Sequence, residues 1–239
     1  MTINLNVTVG SEWVDHFHDD GCNQGNRDYN DDHADGFYAH MGNHGHARIF
    51  EWGEDNAWES DFRHPDFGGD SLNWSDNVHF CYFADHGGNW DNVMHIAFAK
   101  AHDNCLGASN QWRLGAKMLK WFVLDCCDAV LNTDPNHIAS VWFGPMQGVH
   151  LVFGFVGNSH DSWWTSGHGA DFGDSAGTGG RLANSWLDAA YSFWTDDNPI
   201  AIAAGVNRDD AINRRENETI NWRDANIAGT NWLAWKWRS

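Results

Sequence analysis

The sequence predicts an α/β sandwich built around a largely parallel sheet, and three observations carry that expectation. The runs "LKWFVLDCC" (119–127) and "GVHLVFGFVG" (148–157) are apolar almost throughout, the pattern of strands buried on both faces. Stretches with helical spacing separate strands of this kind, as parallel crossovers require. The chain has 239 residues, 42% of them hydrophobic and 14% aromatic, enough for one packed core. No internal repeat or linker divides it, so a single domain over residues 1–239 is expected.

Taken in order, "INLNVTV" alternates and reads as a first strand ending at Gly10. Residues 11–46 are dense in Asp, His, Asn and Gly and read as a long irregular loop or insertion. "ARIFEW" (47–52) is a strand, and "NVHFCYFADHGG" (77–88) is a strand running into a glycine turn. "WDNVMHIAFAKAHD" and "ASNQWRLGAKML" have partial helical character. The strands at 119–127 and 148–157 follow. "GGRLANSWLDAAYSFW" places Leu182, Trp186, Ala189, Ala190 and Phe193 on one helical face. "PIAIAAGV" (199–206) is a further strand, and "TNWLAWKW" alternates its aromatics as an edge strand would.

The formal charge is −19 with 14 Lys plus Arg, which argues against nucleic acid and against an anionic membrane surface. It suits a cationic substrate or bound cations, although net charge by itself selects neither. The N-terminal stretch has neither the basic nor the apolar part of a secretory leader, and no run approaches a membrane span. Five cysteines, an odd number without metal-type spacing, read as free thiols in a reducing, cytoplasmic setting. The 16 tryptophans are expected in the core and along a cleft.

Two strand ends carry the chemistry. "HFCYFADHGG" delivers His86 followed by Gly87 and Gly88, and "WFVLDCC" delivers Asp125, Cys126 and Cys127. Catalytic groups of parallel α/β sheets gather at the carboxyl ends of strands. There an imidazole can take a proton from a cysteine nucleophile, and a glycine N–H can donate to a developing oxyanion.

An apolar strand ending in His-Gly, followed by one ending in Asp-x-Cys, resembles the caspase-like cysteine peptidases: caspases, metacaspases, legumains, gingipains and clostripain. "YFADHGG" is similar to the legumain-type stretch, and the elements together look more loosely like an uncharacterised prokaryotic family of caspase-like domains. The resemblance covers residues 77–157. It implies a three-layer α/β/α sandwich with a mainly parallel central sheet and no cofactor. By it His86 is the general base, Cys127 the nucleophile, Gly87 an oxyanion donor, and Cys126 the small residue before the nucleophile. Asp125 would favour a basic residue before the cut. The family's glycine after the nucleophile is replaced here by "CCDAVLN", and Asp128 beside the thiol opposes thiolate formation.

The expected partner is thus a peptide or a small-molecule substrate, with Trp90, Trp163 and Trp164 walling the cleft. A scaffold with an idle or repurposed dyad, used for binding or for another small-molecule transformation, is the alternative. A third reading is a metal- or glycan-binding protein, with Ca²⁺ or Zn²⁺ on His16, His18, Asp31, Asp32, His33 and Asp35; that spacing matches no standard site, and a solvated acidic loop is favoured over it. "NHGH" (43–46), "SGHG" with His168, and "GDSAGTGGR" (173–181) read as loops.

Overall fold

The computed structural model describes residues 6–17, 22, 24–102, 104–222 and 224–239. Five parallel strands form its centre: β1 (Thr8–Trp13), β2 (Ala47–Gly53), β3 (Phe80–Ala84), β7 (Trp121–Asp125) and β8 (Leu151–Phe155). Antiparallel β9 (Pro199–Gly205) and β10 (Trp232–Trp237) complete a seven-stranded sheet of order β10-β9-β8-β7-β3-β1-β2. A small antiparallel sheet holds β4 (Gly87–Trp90), β5 (Val93–Ala97) and β6 (Leu106–Ala108).

The apolar runs of the sequence become central strands because both their faces are covered. On β7, Trp121 and Val123 enter one buried cluster while Phe122 and Leu124 enter the other. The first face is covered by α1 (Asn30–Asn43), α3 (His168–Gly177) and α4 (Leu182–Ala189), with α5 (Arg208–Asn217) against β9 and β10. The second face is covered by α2 (Pro135–Trp142), the small sheet and short 3₁₀ turns. The result is a three-layer α/β/α sandwich, as the sequence implies.

Four expectations are corrected. The segment 11–46 is not one irregular loop: β1 runs on to Trp13, and α1 occupies Asn30–Asn43. The helix is held by Ala34, Phe37, Tyr38 and Met41, one apolar stripe at helical spacing in an otherwise polar segment. Its first N–H groups are satisfied by the Asp15 carboxylate, which accepts from Asn30 at 3.0 Å. Of the stretches 90–103 and 108–119, the described residues 90–102 and 108–119 form strands and turns, not α-helices; in the first, Met94 and Ile96 alternate inward. Residues 168–177 are a helix, so His168 and the first part of "GDSAGTGGR" are not loop. Cys22 and Cys105 are joined by a disulfide, so only Cys81, Cys126 and Cys127 are free, and the odd count no longer supports a reducing compartment.

Three of the fully buried tryptophans satisfy their one donor: Trp121 Nε1 donates to the Glu218 carboxylate, Trp142 Nε1 to the Ala129 carbonyl and Trp186 Nε1 to that of Gly154, whereas Trp112 Nε1 has no partner among the described residues. Among the described residues no helix is long and apolar enough to cross a membrane. Phe172 of α3 packs on Phe37, Phe80, Phe153 and Trp186, ring centroids 5.3–5.9 Å apart. Phe172→Ala is expected to cost about 3–5 kcal/mol in urea denaturation, whereas Trp237→Ala, at the half-exposed edge, should cost under about 1 kcal/mol.

Candidate functional site

Strands β3 and β7 are neighbours, and their register pairs Ala84 with Asp125. Hydrogen bonding continues one step further, with the Asp85 N–H donating to the Asp125 carbonyl at 3.2 Å. His86 and Cys127 therefore each lie two residues beyond paired positions on adjacent parallel strands. A Cβ on Gly87 would overlap the Cys127 carbonyl and stand 2.7 Å from Cys126 Sγ. Only glycine lets the His86 segment lie directly on the cysteine doublet.

The tautomer of His86 follows from its partner. Its Nε2 is 2.6 Å from the Gly25 carbonyl, which can only accept, so Nε2 carries the proton and Nδ1 keeps its lone pair. Burial lowers the pKa of His86, and the Arg27 charge adds to this, against opposing effects of Gly25 and Asp161. Cys127 is partly exposed, while Cys81 and Cys126 are buried. The Cys127 sulfur accepts from the Ser159 N–H at 3.3 Å and donates to the Ser159 carbonyl at 3.5 Å.

That same carbonyl accepts from Arg27 Nη2 at 3.4 Å, so a guanidinium stands within about 7 Å of the sulfur. Arg27 Nε is 3.8 Å from Asp161, and Asp161 also accepts from the Asp28 N–H. Arg27, Gly25 and Ser159 are site residues that sequence reasoning missed. They sit in polar loops: Gly25 and Ser159 touch His86 and Cys127 through backbone groups, and the Arg27 guanidinium joins them at the Ser159 carbonyl, none of which a motif records.

Asp125 does not line an opening: it is 1% exposed, and its carboxylate is taken up internally. It accepts from His33 Nδ1 at 2.8 Å, Tyr82 Oη at 2.6 Å and Ser159 Oγ at 3.1 Å. The role of holding a basic substrate side chain, implied by resemblance, is therefore withdrawn. Burial would raise the Asp125 carboxyl, but the charge and hydrogen bond of His33 outweigh it, and His168 and Tyr82 help to hold it well below the usual range. Burial would lower His33, yet the Asp125 charge and hydrogen bond raise it above its ordinary value. His168 is lowered by burial.

Among the described residues, the Asp/His-rich segment does not converge on one metal site. His16 bonds Glu54, Asp31 and Asp32 lie in the first turn of α1 with Asp35 just beyond, and His18 lies outside the described residues. Among the described residues, the group with ligand-type atoms within 4.8 Å of one another is His33, Asp125 and His168. Trp90 stacks on His95 at 3.6 Å and borders a small depression with His86, Gly87 and Gly88. Trp163 and Trp164 are exposed, stack on each other at 3.7 Å, and belong to the loop that follows Ser159.

Residues 11–230 match the family model described as a domain of unknown function (DUF6345), and the chain belongs to that family. No curated protein matches the chain.

Breaking the His33–Asp125 pair should be costly. His33→Ala is expected to lose about 3–5 kcal/mol, because it strands a buried carboxylate. The raised His33 contributes stability that is complete below its unfolded value and fades as pH rises through its folded one. The depressed Asp125 contributes stability that fades as pH falls below its unfolded value. The stability gap between parent and variant, from urea melts across pH, should therefore be widest between about pH 4 and 6.5.

Proposed function

We propose that the protein is a thiol-dependent acyl hydrolase, of the kind its resemblance to caspase-like peptidases implies. The observation that carries this reading is the placement of His86 and Cys127 at the ends of neighbouring parallel strands, with the proton of His86 fixed on Nε2. A base must present a lone pair, and holding Nε2–H on the Gly25 carbonyl leaves Nδ1 for that task.

In the proposed reaction the Cys127 sulfur attacks a substrate carbonyl carbon, and His86 Nδ1 receives the thiol proton. A carbon–sulfur bond forms, the negative oxygen is held by N–H groups near Gly87, and the tetrahedral species then expels the leaving amine. His86 gives that amine its proton, which leaves a thioester on Cys127. Water attacks the thioester with His86 again accepting a proton, the acid departs, and the thiol is restored. The Arg27 guanidinium, sharing the Ser159 carbonyl with the thiol, supplies positive charge where the sulfur carries negative charge.

Trp90, beside His86 and Gly87, offers a flat wall for the substrate on one flank. The exposed Trp163 and Trp164, on the loop that begins at the sulfur's own partner, offer another. With Asp125 enclosed, a preference for a basic residue loses its basis. The substrate class remains a peptide or small acyl compound.

The test is alkylation of Cys127 by iodoacetamide at pH 7, followed by mass spectrometry, beside turnover of a pooled set of fluorogenic peptide amides. Cys127 should react faster than glutathione by roughly tenfold. His86→Ala should slow turnover by about 10²–10⁴-fold, and Cys127→Ala should abolish it. Alkylation no faster than glutathione's and indifferent to His86→Ala would sink the mechanism and leave an idle scaffold in its place.

A further inference from the structure

A second opening shares no residue with the thiol site. Trp52, Asn56, Trp58, Asp61 and Trp74 line a cavity of ≈ 180 Å³. Trp52 is near the end of β2, Trp58 links two 3₁₀ turns, and Trp74 precedes a third. The Trp52 and Trp74 rings meet at 80° with centroids 5.7 Å apart, forming two walls of a corner. Trp58 is fixed by stacking on His102 at 3.7 Å and by donating its Nε1–H to the Asp55 carbonyl at 2.9 Å.

Asp61 is the acid of this cavity and is 4% exposed. The Ser60 hydroxyl, at 3.4 Å, bonds its carboxylate, and no cationic side chain pairs with it among the described residues. Close to Asp61 lies Glu12, fully buried, with neither carboxylate oxygen hydrogen-bonded to a partner. Burial pushes the Asp61 carboxyl up to about 7, and burial together with the Asp61 charge raises Glu12. One enclosed acid thus lines the cavity beside three indole rings, with a second buried close behind it, and no cationic side chain pairs with either among the described residues.

We propose that this cavity binds a small organic cation of the methylated ammonium type. Indole faces attract cations, most strongly when the charge is weakly hydrated and can be stripped of water. A methylated ammonium offers apolar methyl groups to the rings and a diffuse charge to Asp61. A hard divalent ion wants six or more oxygens, and three of the five lining residues supply only indole. The volume is below the 300–1,000 Å³ of drug-sized sites, so the fit is to a headgroup and not to an extended molecule. The negative charge of the chain favours the approach of a cation.

The experiment is calorimetric and tryptophan-fluorescence titration with tetramethylammonium and choline, against the uncharged isostere 3,3-dimethylbutanol and against glucose. Both cations should bind, with the isostere at least about tenfold weaker. Trp58→Leu, at a position 42% exposed, should weaken choline by about tenfold or more, and Trp58→Phe by less. Asp61→Asn should weaken the cations while leaving the isostere unchanged, which separates lost charge from lost packing. Trp90→Ala should leave the affinity unaltered. The proposal is overturned if neither cation binds up to roughly 10 mM, if the isostere binds as well as choline, or if glucose binds while the cations do not. Affinity indifferent to Trp58→Leu would likewise overturn it.

Discussion

The buried Asp125 carboxylate is the contact on which the site depends. Taking a carboxylate out of water costs several kcal/mol, which only a full set of donors offsets. Here His33 comes from α1, Tyr82 from β3 and Ser159 from the loop after β8, so one anion ties four elements at the end of β7. Two residues later the chain presents Cys127, and the loop held by Ser159 Oγ also supplies the backbone groups that bracket the Cys127 sulfur. Delivery of His33 depends on the closeness of α1 to α3. At Gly169 a Cβ would overlap the His33 carbonyl, and Gly36 approaches Ala170 in the same way. A side chain at Gly169 would push α1 outward and His33 off its partner.

Much of this frame was legible in the sequence, because the strands that matter are buried on both faces and short. β3, β7, β8 and β9 stand out as apolar runs, and the chemistry-bearing His86 and Cys127 stand out as the polar or reactive residues that end two of them. Helix α1 was hidden because its apolar stripe has only four members among Asp, His and Asn, and because two of its buried residues, Asn30 and His33, are polar. The partners of His86 and Cys127 were hidden for another reason. Gly25 and Ser159 act through backbone groups, and the Cys22–Cys105 link joins positions 83 apart, so none leaves a local pattern.

The role of Asp125 was recoverable and was obscured by resemblance. Side chains alternate along a strand, so Asp125 shares a face with Val123 and Trp121, both of which point into the layer beneath the helices. An acid in that register faces the core and needs an internal base, which α1 provides. Cys126 falls on the opposite face, where it is packed and inert, and its thiol is raised well above the ordinary value by burial first, with Cys127 and nearby acids adding. The asymmetry of the cysteine doublet thus follows from strand geometry alone.

The same alternation separates two acids at neighbouring strand ends. Asp85 follows β3 as Asp125 closes β7, and the Asp85 N–H bonds the Asp125 carbonyl. Asp125 has His33 and is held as an anion. Asp85 is as deeply buried, accepts from the His86 N–H with one oxygen, and pairs with no base among the described residues; burial drives its carboxyl well above the usual range, against the smaller effects of the His86 N–H and the Arg27 charge. One acid keeps its charge and the other its proton, because Asp125 accepts from His33, Tyr82 and Ser159 while Asp85 accepts from a single N–H. Asp15 and Asp61, each pushed up to about 7, and Asp76, pushed up to about 6, are shifted by burial in the same direction but less far, so near neutrality the chain carries somewhat less negative charge than its composition states. At the end of β7 the buried negative charge therefore rests on Asp125, where His33 balances it.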